Sequence, residues 1–121
     1  MAARFFESSL DADVLVVTPL RNVGSLAEVE VLEDWEHVLG RLDSSGEPLS
    51  HVVVDFGKIE YFGSAMIEAL LILWKRISAR RGRLAVCRCN QVCGEVLRLS
   101  RFDMMWPICP TLEEALVQVR S

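Results

Sequence analysis

Residues 51–80 read HVVVDFGKIEYFGSAMIEALLILWKRISAR, and a change of hydrophobic period within them decides the fold. From His51 to Phe56 the apolar residues run on without alternation, the pattern of a short strand covered by other structure, and Gly57-Lys58 breaks it. From Ser64 to about Arg80 the period lengthens. Met66, Ile67, Leu70, Leu73, Trp74 and Ile77 form one broad stripe of a helix, and Gly82 stands where a helix-terminating glycine belongs. A strand, a short loop and a helix in that order form the repeating unit of an α/β domain.

The alternation extends in both directions. Asp13-Val14-Leu15-Val16-Val17 is a strand ended by Thr18-Pro19, and Phe5-Phe6, separated from it by residues 8–13, supplies a hairpin partner. From about Ala27 to Leu42, Leu32, Trp35, Val38, Leu39 and Leu42 recur at helical spacing among acidic residues, and residues 43–48 end that helix. Downstream, Leu84–Cys87 reads as a buried strand, and Asn90 is placed to cap a helix from Gln91 to about Ser100. Trp106-Pro107-Ile108-Cys109 suits an edge strand, and Thr111-Leu112-Glu113-Glu114 opens a last helix with a capping-box pattern. The expected fold is α/β, in the order ββαβαβαβα. It has a mixed, mostly parallel sheet of about five strands and about four helices, those after the later strands on one side of it. One domain covers residues 1–121.

Composition narrows the function. With 17 acidic and 13 basic residues the net charge is −4, which gives no general attraction to phosphate backbones, so nucleic acid is not an expected partner. The basic cluster Lys75, Arg76, Arg80, Arg81 and Arg83 surrounds the end of a predicted helix, where cations complement the dipole. The longest apolar stretch, Ala69–Trp74, falls far short of the roughly 20 residues that cross a bilayer. Met1–Glu7 meets a carboxylate before a signal-peptide core forms, so the expectation is a cytoplasmic protein with no membrane partner. Cys87, Cys89, Cys93 and Cys109 lack zinc-knuckle spacing; Cys87 and Cys89 lie at strand spacing, facing one side, and read as small core residues, with no metal and no cofactor expected.

In open α/β sheets the loops after the carboxyl ends of strands gather the functional groups, which directs attention to residues 55–64. Ser64 at the start of the longest helix carries two readings. It can be an N-cap accepting a first-turn N–H, or a phosphoacceptor, since helix N-termini favour negative charge. Ile67 at the third helical position denies the serine a full capping box. On a helical wheel Ser64, Glu68 and Lys75 share the outer face with Ile72, Arg76 and Ala79 beside them, and an aliphatic residue there is what a docking surface contains. The candidate partner-binding residues are therefore Tyr61, Phe62, Gly63, Ser64, Ala65, Glu68 and Ile72, with Asp55 supporting the loop. Catalysis has no such footing. The histidines, His37 and His51, fall on a predicted helix and at a strand start on the wrong side of the sheet from Ser64, and no glycine-rich phosphate loop is present.

Residues 52–71, VVVDFGKIEYFGSAMIEALL, resemble the signature of the STAS domain family of bacterial anti-sigma factor antagonists: an apolar strand ending in Asp, a short loop, then Asp-Ser-Ser/Thr-Gly opening a helix. Gly82–Val86, Val96–Asp103 and Thr111–Leu116 are also similar to the family in order and spacing, so the resemblance covers nearly the whole chain. It implies a non-enzymatic signalling module that binds an anti-sigma factor or serine-kinase-like protein. The family's phosphoacceptor serine corresponds to Ser64 and its strand-end aspartate to Asp55. Gly63 stands where the family has Asp, Ala65 where it has Ser or Thr, and Met66 where it has Gly. The alternative is a constitutive scaffold or sensory subunit of a larger complex without phosphorylation.

Overall fold

A computed structural model of the chain describes residues 5–43, 49–61 and 63–121. Five strands form one sheet in sequence order. β1 (Phe6–Asp11) pairs antiparallel with β2 (Val14–Pro19). β3 (His51–Asp55), β4 (Leu84–Cys87) and β5 (Ile108–Cys109) then add in parallel, one after another. The four helices are α1 (Val29–Leu42), α2 (Ser64–Ser78), α3 (Gln91–Leu99) and α4 (Leu112–Arg120).

Strand alternation sorts the apolar side chains into two cores. Leu15, Val17, Val52, Val54, Leu84 and Val86 face α1, α2 and α3, which add Trp35, Val38, Met66, Leu70, Leu73, Ile77, Cys93 and Leu97. Val14, Val16, Val53, Ala85, Cys87 and Cys109 face the other way and are covered by Ala115 and Val119 of α4. The three crossover helices thus share one side, as expected. α4 departs from that expectation: it lies on the opposite face, where the apolar side chains of Val14, Val16 and Val53 need cover and the small residues Ala85 and Ala115 let it lie close.

The hairpin is longer than its apolar residues indicate. β1 runs on through Ser8, Ser9 and Leu10 to Asp11, and the chain reverses at Ala12-Asp13, with Ala12 in the left-handed region at φ 51°. Only Phe6 of β1 is buried, so the strand is held by its ladder to β2 and leaves almost no hydrophobic trace. At the opposite edge β5 shrinks to Ile108-Cys109. Pro107 accepts from the Val86 N–H at 3.0 Å but has no N–H to return, and the preceding Trp106 turns inward to stack on Phe102, ring centroids 4.9 Å apart.

Two other expectations shift for local reasons. The left-handed residue after α2 is Arg81, at φ 61°, rather than Gly82. Gly82 is required by proximity: its N–H donates to the Ile77 carbonyl at 2.7 Å, and a Cβ there would stand 1.6 Å from the Ser50 carbonyl oxygen. Cys87 and Cys89 do not share a face, because β4 ends at Cys87 and Arg88 turns through φ 56°. Cys87 packs under α4 while Cys89 rests against the other core. All four cysteines are free thiols.

Gly82→Ala is expected to lower the unfolding free energy by at least about 2 kcal/mol in urea titrations, since backbone rather than a mobile side chain must yield. Burial, assisted by the Asp55 carboxylate, pushes the Cys87 thiol from its ordinary 9.0 up to about 12. The folded chain therefore keeps this proton longer than the unfolded chain. The contribution to stability is complete below pH 9.0 and is lost as the pH rises to about 12. Thermal unfolding followed across that window will show a shallower alkaline decline for Cys87→Ala than for the native sequence.

Candidate functional site

The site is built where β3 and β4 end side by side. Asp55 closes β3 and is the one buried charged residue among those described, 4% exposed, directly opposite Cys87 in the ladder. A carboxylate so placed needs several donors, and it has them. Its Oδ1 accepts from the Gly57 N–H at 2.9 Å and from Arg88 Nε at 3.1 Å, and its Oδ2 accepts from Arg88 Nη2. The two-pronged pairing holds the Arg88 guanidinium still further above its ordinary range, through hydrogen bonding first and charge second. Arg88 was not among the residues expected from sequence; the register that sets Asp55 opposite Cys87 also puts the next residue of that chain beside the carboxylate.

Beyond Asp55 the loop is pinned at several points. Phe56 donates its N–H to the Cys87 carbonyl at 3.0 Å and is buried, and Ile59, buried too, donates to the Phe56 carbonyl at 3.3 Å. Asn90 does double duty. Its Oδ1 accepts from the Cys93 N–H at 2.8 Å and so caps α3, as expected, while its Nδ2 donates to the Glu60 carbonyl at 2.7 Å. The Cys93 thiol donates to the same carbonyl at 3.6 Å. Buried and exposed residues thus alternate: Phe56 and Ile59 point in, while Gly57, Lys58, Glu60 and Tyr61 are exposed.

At the start of α2 the capping position belongs to Gly63, in extended conformation and with no side-chain cap. Its carbonyl accepts from the Met66 and Ile67 amides at 3.1 and 3.3 Å. Ser64 is the first residue inside the helix and exposed, so the N-cap reading fails and the hydroxyl is left to solvent. No carboxylate lies in this first turn.

The candidate contact residues divide on burial. Tyr61, 59% exposed, together with Gly63, Ser64 and Glu68, lies at the surface. Ala65 is buried and offers its side chain to the core, and Ile72 is half-buried against that core. Phe62 lies outside the described residues. Met66, 1% exposed, fills the core, which gives the departure from glycine at this position a packing role. Neither histidine comes to the site. His51 accepts the Arg83 N–H on Nδ1 at 3.0 Å and lies 3.7 Å from Asp13, at the start of β3, and His37 is exposed on α1.

A model of the STAS domain matches residues 3–115. The chain belongs to the STAS domain family. A candidate anti-sigma factor antagonist of Bordetella bronchiseptica, BtrV, is 28% identical over 109 residues, covering 90% of each chain. The solved structure of an anti-sigma factor antagonist (STAS) domain protein from Planctomyces limnophilus is 30% identical, covers 98% of this chain and 100% of that one, and superimposes with a TM-score of 0.76. The anti-sigma factor antagonist SpoIIAA in its unphosphorylated form, 14% identical over 96% of this chain and 98% of its own, shares the fold with a TM-score of 0.66. Among the described residues no helix is long and apolar enough to cross a membrane.

The Asp55–Arg88 pair should be worth most to the loop. Arg88→Met leaves a buried carboxylate with one backbone donor and is expected to cost about 1–3 kcal/mol, less than the rupture of a fully buried pair because Arg88 is half exposed. In a double-mutant cycle read by urea unfolding, Asp55→Asn with Arg88→Met will cost clearly less than the two single changes added together.

Proposed function

We propose that this STAS domain is a non-enzymatic anti-sigma factor antagonist that binds an anti-sigma factor or serine-kinase-like protein, with phosphorylation of Ser64 weakening the contact. The observation that carries this reading is the exposure of Ser64 at the first helical position of α2, with no capping duty to perform. Tyr61, Gly63, Ser64 and Glu68 form the contact surface, with Phe62 and the half-buried flank at Ile72 completing the candidate set. The relatives named as anti-sigma factor antagonists support the choice of partner.

The electrostatics give the switch its direction. A phosphate adds about −1.5 to −2 charges, while the dipole at the start of α2 returns only about 0.3–1 kcal/mol of stabilisation. Within the free domain the modification is tolerated. Against a docked partner the added charge must be desolvated, and that cost dominates.

One observation favours the constitutive alternative, a scaffold or sensory subunit: Ala65 and Met66, which replace two motif residues, are committed to the core, and Gly63 contributes no carboxylate for a kinase to read. The two readings separate in a single comparison. Ser64→Ala is expected to capture the partner like the native chain, Ser64→Glu at least about tenfold more weakly, and incubation with cell lysate and ATP to add one phosphate in an intact-mass measurement. Equal capture by both variants, without added mass, overturns the switch.

A further inference from the structure

The basic cluster after α2 is not a uniformly solvated helix end. Asp43 takes Arg76 and Arg80, and Arg80 also donates to the carbonyls of Leu42 and Leu49. Those two cations are structural. Among the described residues, Lys75, Arg81 and Arg83 have no acidic partner, in a chain whose net charge is −4. Arg83 itself is placed with care: its backbone N–H donates to His51 Nδ1 at 3.0 Å, which fixes the main chain and leaves the side chain exposed.

Arg83 lines a cavity of about 270 Å³, with Trp74 of α2, Gly82, Leu84 of β4, Met105, Pro107 and Gln118 of α4 around it. The cavity exists because the sheet is incomplete at this corner. β4 pairs with β5 only at Val86 and Cys87, and at the next step Pro107 has no N–H to offer, so the edge of β4 at Leu84 opens on space rather than on a neighbouring strand. One wall is aromatic. The Trp74 ring is held 6.3 Å from that of Trp106, a residue lying between the cavity-lining Met105 and Pro107, and the buried Trp106 Nε1 has no hydrogen-bond partner among the described residues. Buried indole N–H groups ordinarily have one.

We infer that this corner binds a small planar aromatic acid, a single ring bearing one carboxylate or phosphate, with the ring against Trp74 and the acid on Arg83. The volume suits a ligand of that size and falls just under the range of drug-sized pockets. A guanidinium without an acidic partner among the described residues and an indole lining the same cavity supply the matching pair of attractions, a charge-assisted hydrogen bond and stacking. The site is separate from the Ser64 loop. It lies towards the C-terminal end of α2, where Trp74, ten residues on from Ser64, is about 15 Å further along the helix axis.

The test is an amide-shift titration of the isotope-labelled full chain with benzoate, with phenyl phosphate, and with neutral benzamide. Benzoate or phenyl phosphate is expected to saturate with a Kd of about 1 mM, moving the amides of Arg83, Leu84 and Gln118 and leaving that of Ser64 in place. The acid that saturates at lower concentration identifies the preferred group. Benzamide should bind about tenfold more weakly than that acid. Arg83→Ala should weaken the acid by the same factor and leave benzamide unchanged, and Trp74→Leu should weaken all three. Shifts that never saturate, equal affinity for acid and amide, or an unchanged affinity in Arg83→Ala would overturn the proposal.

Discussion

Burial of the three central strands on both faces is the constraint from which the rest of this domain follows. Val14–Val17, Val52–Val54 and Leu84–Cys87 are all buried, so neither face of the sheet can be left to water. Three crossover helices cover one side, and α4 covers the other. Each fully buried Val or Leu side chain contributes about 1.5–3 kcal/mol, and in this arrangement polar groups are confined to the strand ends. Asp55 stands at such an end, one residue after the last buried valine of β3, and that position makes its pairing with Arg88 necessary.

From the Asp55–Arg88 pair the rigidity of the loop follows step by step. The carboxylate holds Gly57, Phe56 and Ile59 enter the core, and Asn90 ties the Glu60 carbonyl to the start of α3. By the time the chain reaches Ser64 it has been fixed by contacts to β4, to the core and to a second helix. α2 itself buries Met66, Ala69, Leu70, Leu73 and Ile77, so it has no slack to move. A modification at Ser64 on such a frame acts where it sits, by changing the surface, and not by refolding the helix beneath it.

The fold was legible because its long helices and buried strands each carry a hydrophobic period. Legibility failed where structure rests on backbone contacts between distant residues. β1 beyond Phe6 has no apolar pattern, and it is defined by its ladder to β2 and by the bonds that Arg41 and Arg120 make to Ser8 and Asp11. Gly82 was marked as a glycine of importance, but its reason is the Ser50 carbonyl 1.6 Å from where its Cβ would be, a neighbour 32 positions away in sequence order that no local pattern reveals. Around the candidate site, Ser64 was placed one position too early, while the strand-end position of Asp55 and the capping by Asn90 were readable. Arg88 and the second bond of Asn90 were not, since both depend on how β3 and β4 align.

The off-by-one assignment at Ser64 matters more than its size suggests. As an N-cap, the hydroxyl would accept a first-turn amide, and a phosphate on it would have to break that bond or absorb it. With Gly63 in the capping position and its carbonyl taking the Met66 and Ile67 amides, the serine oxygen has no internal obligation. The motif residue lost at Gly63 bears on the same point from the other side. No Cβ contact or positive φ demands glycine there, so a carboxylate was not excluded by the backbone. Its absence leaves the first turn of α2 without a fixed negative charge, so the nearest carboxylate on the helix is Glu68, one turn further on, and a phosphate on Ser64 would bring a charge of about −1.5 to −2 to a turn that otherwise has none.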